Sequence, residues 1–215
     1  MTGQKIYVVQ ELGDAQRLAL AYAPAKLRRA YRGVLLLDAQ LSRISLTSRE
    51  PALAQLKLAW WRDACANLVG SRGHPVLQTL TESWLGRSGV LTGLIDAWEE
   101  LAAGEGGFSA AAGLLADARA AAFAVAADEA LNDVLRAAAR RWTIVELANH
   151  APSADERATM LGAASEIGPV NLRRALRPLA VLDGLAKRTL RRGGGVLLGD
   201  RLSPLAAVRL GIFGR

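Results

Sequence analysis

Alanine outnumbers every other residue type between Ser109 and Asn149, and across the chain alanine and leucine supply most of the apolar share while Phe, Trp and Tyr make up only 5%. Ala and Leu are the strongest helix formers among apolar side chains. No segment alternates apolar and polar residues for long enough to suggest a strand. The expectation is therefore an all-α protein. With 215 residues, 51% hydrophobic and 22% charged, the chain suits one globular domain with a buried core and does not have the composition of a disordered segment.

Punctuation divides the chain into helices. Glu11–Arg32 is helical with a break at Pro24 and a restart over Ala25–Arg32, and Val34–Leu46 continues as an apolar helix. Glu50-Pro51-Ala52 opens a helix that runs to Val69 and stops at Gly70-Ser71-Arg72-Gly73, because proline suits a first helical turn and glycine ends one. His74-Pro75 starts a short helix to Leu85. In Gly89–Ala103, the side chains Leu91, Leu94, Ile95, Trp98 and Leu101 recur at the spacing of a buried face. Ser109–Asn149 reads as one or two long helices whose small side chains let neighbours approach closely. Ser153 followed by Glu156 is a capping-box pattern, and Gly168-Pro169 closes the helix that it begins. Asn171–Arg192 is expected to be an amphipathic basic helix, Gly193-Gly194-Gly195 a flexible break and Leu205–Phe213 a terminal helix. The expected organisation is a helical domain over residues 1–192, with a Gly-rich hinge and short basic helix over 193–215.

Charge is distributed unevenly. From Arg173 to Arg215 ten basic residues face only Asp183 and Asp200, a net +8, whereas the preceding 172 residues carry −1. A basic end points to an anionic surface: membrane headgroups through Arg173–Arg192, a diphosphate-bearing ligand, an acidic protein partner or nucleic acid. The basic residues have no interleaved aromatics for base stacking, which argues against nucleic acid. Cys65 is the sole cysteine, so no internal disulfide forms and a reducing, cytoplasmic setting is expected. The N-terminus lacks the features of a signal peptide. Apolar runs such as Gly33–Leu37 are far shorter than the ~20 residues of a bilayer span, so association peripheral to the inner membrane is the expectation. Gly193-Gly194-Gly195 lacks the Lys-Ser/Thr of a phosphate loop, and neither His74 nor His150 has a second ligand at metal spacing.

The most specific local pattern is Arg49-Glu50-Pro51 followed by Lys57-Leu58-Ala59-Trp60-Trp61-Arg62-Asp63. Adjacent tryptophans on a helix point about 100° apart, so one can face the core while the other packs on a neighbouring helix and Arg62 makes an ion pair. Together with Pro24–Ala30, Val34–Ile44, His74-Pro75-Val76, Leu94–Leu101 and Leu176–Leu182, these residues resemble the squalene/phytoene synthase family. The similarity is greatest to its divergent alphaproteobacterial branch, itself similar to a mitochondrial assembly factor for respiratory complex I. It covers roughly residues 17 to 192.

The resemblance implies an isoprenoid-synthase-like helical bundle, shortened. Active members join two prenyl diphosphates after Mg²⁺, held by two aspartate clusters, ionises the allylic diphosphate. At the first cluster this chain has Ser42-Arg43-Ile44-Ser45-Leu46, and at the second it has Asn149 and His150 with Glu146 nearby. The resemblance thus implies a noncatalytic protein, without a metal, that binds a prenyl diphosphate or lipid in a residual cavity or a protein partner at a membrane surface. Arg28, Arg29, Arg43 and Arg62 are its candidates for an anion pocket, with Ser42, Trp60, Trp61 and Trp98 as cavity or structural residues. The alternative is a working Mg²⁺-dependent prenyl transferase that uses the residual acidic set Asp96, Glu99, Glu100 and Glu146. A nucleic-acid-binding module is a weaker alternative.

Overall fold

A computed structural model describes residues 12–48, 50–69 and 73–198. The described residues form nine α-helices and two short 3-10 turns and contain no strand, so the protein is all-α. The helices are α1 (Asp14–Ala21), α2 (Arg28–Thr47), α3 (Pro51–Ala66), α4 (Pro75–Trp84), α5 (Gly89–Ala103), α6 (Phe108–Ala127), α7 (Asp133–Leu147), α8 (Ala154–Ser165) and α9 (Arg177–Arg191). The terminal helix expected over Leu205–Phe213 lies outside the described residues.

Local chemistry sets the boundaries. Pro51, Pro75 and Pro178 sit in the first turns of α3, α4 and α9, where a missing N–H costs nothing. The Asn132 side chain accepts from the Leu135 N–H at 3.0 Å, and Ser153 accepts from the Glu156 N–H at 3.1 Å, as expected for the cap that starts α8. Gly104 (φ 70°) ends α5, and Asp128 (φ 58°) ends α6 in a left-handed conformation that aspartate tolerates better than most side chains. The restart expected after Pro24 and the apolar helix after Val34 are one continuous helix, α2.

The core sits where α2, α5, α6, α7 and α9 meet in succession: α2 on α5 and α6, α6 on α5 and α7, and α7 on α9. α1 packs mainly on α9, α3 on α5, α4 on α2 and α8 on α7. α6 has no polar face, since neighbours cover several of its sides; Ala112, Ala120 and Ala122 have no exposure. By length and composition α6 could cross a membrane, but 61% of its most apolar stretch is buried within the bundle. Counting only uninterrupted apolar runs overlooks it, because Asp117 and Arg119 break the run.

The expected basic helix over Asn171–Arg192 requires correction. Residues 170–173 are not helical, Arg174–Leu176 is a 3-10 turn and α9 begins only at Arg177. Pro178 to Ala186 is continuously buried. The basic residues lie at the two ends, with Arg173 and Arg174 before the helix, Arg177 at its first position and Lys187, Arg188, Arg191 and Arg192 in and after its last turns. Arg173–Arg192 therefore presents no single basic helical face, because the middle of α9 is core. The triglycine segment is a turn with defined contacts: Gly193, Gly194 and Gly195 have φ of 82°, 97° and 116°, and the Gly195 carbonyl accepts from Asn149 Nδ2 at 3.0 Å.

Candidate functional site

Two kinds of polar site emerge from this packing, a buried ionic centre and an open groove. The centre is built on Asp38 of α2. Its carboxylate accepts from Trp98 Nε1 on α5 at 2.8 Å and from Arg119 Nε and Nη2 on α6 at 3.1 and 2.9 Å. Arg119 Nη1 donates to Thr143 Oγ1 at 3.2 Å and lies 2.7 Å from Glu146 Oε2, both on α7. The guanidinium lies over the rings of Trp142 and Trp98, 4.2 and 5.3 Å from their centroids. Burial works against the Arg119 charge, yet the carboxylates of Asp38 and Glu146 outweigh it and hold its pKa above the ordinary value. Arg119 thus ties α6 to α2 and α7 through charge-assisted bonds, and the Trp98–Asp38 bond adds α5.

A second buried pair does the same for the other side of the bundle. Arg141 on α7 bonds to Asp183 on α9 and to the carbonyls of Ile167 and Gly168, while Lys187 Nζ lies 2.9 Å from Asp183 Oδ2. Desolvation raises the Asp183 pKa, with Lys187 and Arg141 opposing it.

The groove is lined by the second half of α2, by α3 and by His74 just before α4. It encloses about 970 Å³, within the range of sites that bury a small ligand. Arg43 and Lys57 bring positive charge to it, Glu50 one negative charge, and Trp60, Trp61 and Ile44 apolar surface. Trp61 is buried and meets Trp60 edge to face at 5.1 Å. The other tryptophan does not pack away on a neighbouring helix as expected: Trp60 is 48% exposed, with His74 6.0 Å from its ring, because it lies at the open groove. His74 Nδ1 accepts from the Val76 N–H at 3.3 Å and its ring packs on Trp61 at 4.9 Å, and burial lowers its pKa.

The structure separates most of the residues singled out from the sequence. Arg43 is in the groove, but Arg28 stands fifteen positions earlier on α2, roughly 22 Å away at 1.5 Å per residue, and donates to the Ala23 carbonyl at 3.2 Å. Arg29 is exposed beside it. Arg62 is engaged with Asp96 at 2.6 Å and with Glu99, which raises its pKa, chiefly through the bond to Glu99. Arg28, Arg29, Arg43 and Arg62 therefore do not converge on one pocket. Ser42 is half-buried one residue before Arg43, and Trp98 is fully buried on Asp38.

The acidic set is dispersed too. Asp96 and Glu99 share Arg62, Glu100 points toward the loop at Gly106, and Glu146 belongs to the Arg119 centre. Magnesium requires carboxylate oxygens that converge and are open to it. Here Asp96, Glu99 and Glu146 are each engaged by a guanidinium.

Asp38, Arg119, Arg141 and Asp183 were not singled out from the sequence. Asp38 interrupts Val34–Leu41 and Arg119 interrupts the alanine-rich α6. A lone charge inside an apolar helix is the signal that marks both, since such a residue is buried only with a partner.

The fold and site define an all-α protein with an ionic core and an open groove lined by cations and aromatic rings. Comparison of the chain with protein-family models, with characterised proteins and with solved structures finds no match.

Proposed function

We propose that this is a squalene/phytoene-synthase-like helical protein that binds, without ionising it, a prenyl diphosphate or a lipid with an anionic head in the groove between α2 and α3. The observation that carries the reading is the lining of that groove: Arg43 and Lys57 offer positive charge beside the apolar surfaces of Trp60, Trp61 and Ile44. Such a lining matches a ligand with an anionic head and a hydrocarbon body. The engagement of Asp96, Glu99 and Glu146 by arginines favours binding over metal-assisted ionisation of the same ligand.

The test is a thermal-shift titration with farnesyl diphosphate, with and without Mg²⁺, while diphosphate release is followed. A ligand bound only by the native state raises the melting temperature. The expected result is stabilisation that needs no Mg²⁺, proceeds without diphosphate release and is weakened by Lys57→Glu. Stabilisation that needs Mg²⁺ and is accompanied by release would establish the prenyl transferase alternative, and the absence of any shift would overturn the ligand reading.

A further inference from the structure

The outer face of α3 carries three exposed large apolar side chains on one helix. Leu53, Leu56 and Trp60 are 41%, 68% and 48% exposed. At 100° per residue the three fall within about 60° of one another, forming one stripe along the helix. Lys57 stands beside them, exposed. Leu53 and Trp60 also line the groove, so the stripe continues into it together with Arg43.

We propose that this face docks on an anionic lipid bilayer, with Leu53, Leu56 and Trp60 entering the headgroup boundary and Lys57 and Arg43 at the level of the phosphates. Two observations select a bilayer over a second copy of the chain or another protein. The stripe is three side chains long and spans about 10 Å of helix, whereas a stable protein interface covers about 800 Å² on each partner. A bilayer needs only such a small insertion when positive charge assists it. Charge complements an anionic surface locally, where Arg43 and Lys57 face Glu50 alone among the groove-lining charges, and globally, since the chain carries a net +7. A tryptophan edge is suited to the headgroup region because its ring is amphipathic, and a lysine stem lies along apolar surface while its ammonium reaches the phosphates. The inference goes beyond the ligand reading and does not rest on it: the stripe would dock whether or not the groove holds a ligand.

The experiment is co-sedimentation of the full chain with phosphatidylcholine vesicles made with and without phosphatidylglycerol, at low and high salt, alongside tryptophan emission. Trp61, Trp84, Trp98 and Trp142 are buried, so a blue shift on binding reports Trp60. The expected result is salt-sensitive pelleting with the anionic vesicles and a blue shift. Leu56→Asp and Trp60→Ser, both at exposed positions, should each reduce binding roughly tenfold or more while leaving the melting temperature in place. Failure of the wild-type chain to bind anionic vesicles would overturn the proposal. So would undiminished binding by Leu56→Asp, which would place the contact elsewhere, or a concentration-dependent dimer abolished by the same substitution without any vesicle binding.

Discussion

Arg119 shows how much one side chain can organise. Its guanidinium is 2% exposed and satisfies Asp38, itself 3% exposed, while reaching Glu146 and Thr143. Replacing it with methionine keeps the volume roughly but leaves the Asp38 carboxylate buried without its counter-ion, and breaking a buried pair in this way costs about 3–5 kcal/mol. Arg119→Met is expected to lower unfolding stability by that amount in denaturant titration, and Arg119→Lys is expected to fall between it and the wild type, since a point charge cannot make the forked contacts. His74 is a second residue whose effect has a definite sign. Burial lowers its pKa below the ordinary 6.5, and Nδ1 must be unprotonated to accept from the Val76 N–H. The unfolded chain therefore binds more protons than the native one just below pH 6.5. The His74 contribution is complete above that value and declines as pH falls toward the lowered native pKa. Equilibrium unfolding at a series of pH values should show this decline, and His74→Asn, which can cap α4 without titrating, should remove it. A result in which the decline persists in His74→Asn would assign it to another group.

Among the elements, the α2–α4 crossing has little tolerance for added volume. Gly33 lets Trp84 come close enough for its Nε1 to donate to the Ala30 carbonyl at 3.0 Å, and a Cβ there would meet Leu80 Cδ2 at 3.1 Å and Trp84 Nε1 at 3.2 Å. Gly33→Val adds two methyl groups beyond that Cβ and is expected to destabilise by about 1–3 kcal/mol through overpacking, with loss of near-ultraviolet circular dichroism from Trp84. Stability equal to wild type would show that α4 can slide. Most element boundaries were legible from the chain alone, because proline, glycine and capping side chains act locally: α5 runs over the expected Gly89–Ala103, and α8 starts at the expected Ser153 cap. α9 was not legible. Its arginines suggest a solvated basic helix, but local pattern cannot reveal that α1, α7 and α8 enclose its middle or that Arg141 and Lys187 meet Asp183.

At the scale of the whole molecule, the candidate site divides between what a sequence can and cannot express. The all-helical architecture follows from alanine and leucine content and the absence of alternation, properties that each segment carries independently of its neighbours. The tryptophan pair and Arg62 were legible for the same reason: two large adjacent rings on one helix must diverge, and one of them, Trp61, is core. Where the second ring goes, which arginines share a pocket and which carboxylates are already engaged depend on distances between residues far apart in the chain. Arg28 and Arg43 are separated by the length of the helix that carries both, whereas Asp38 and Arg119, 81 positions apart, are in contact. The chain by itself determined its helices, their caps and its excess of positive charge, because propensity, capping and charge are local or additive. Only the tertiary structure decided that the charged interior is an arginine-centred lock and that a groove remains between α2 and α3, because burial and pairing arise when helices meet.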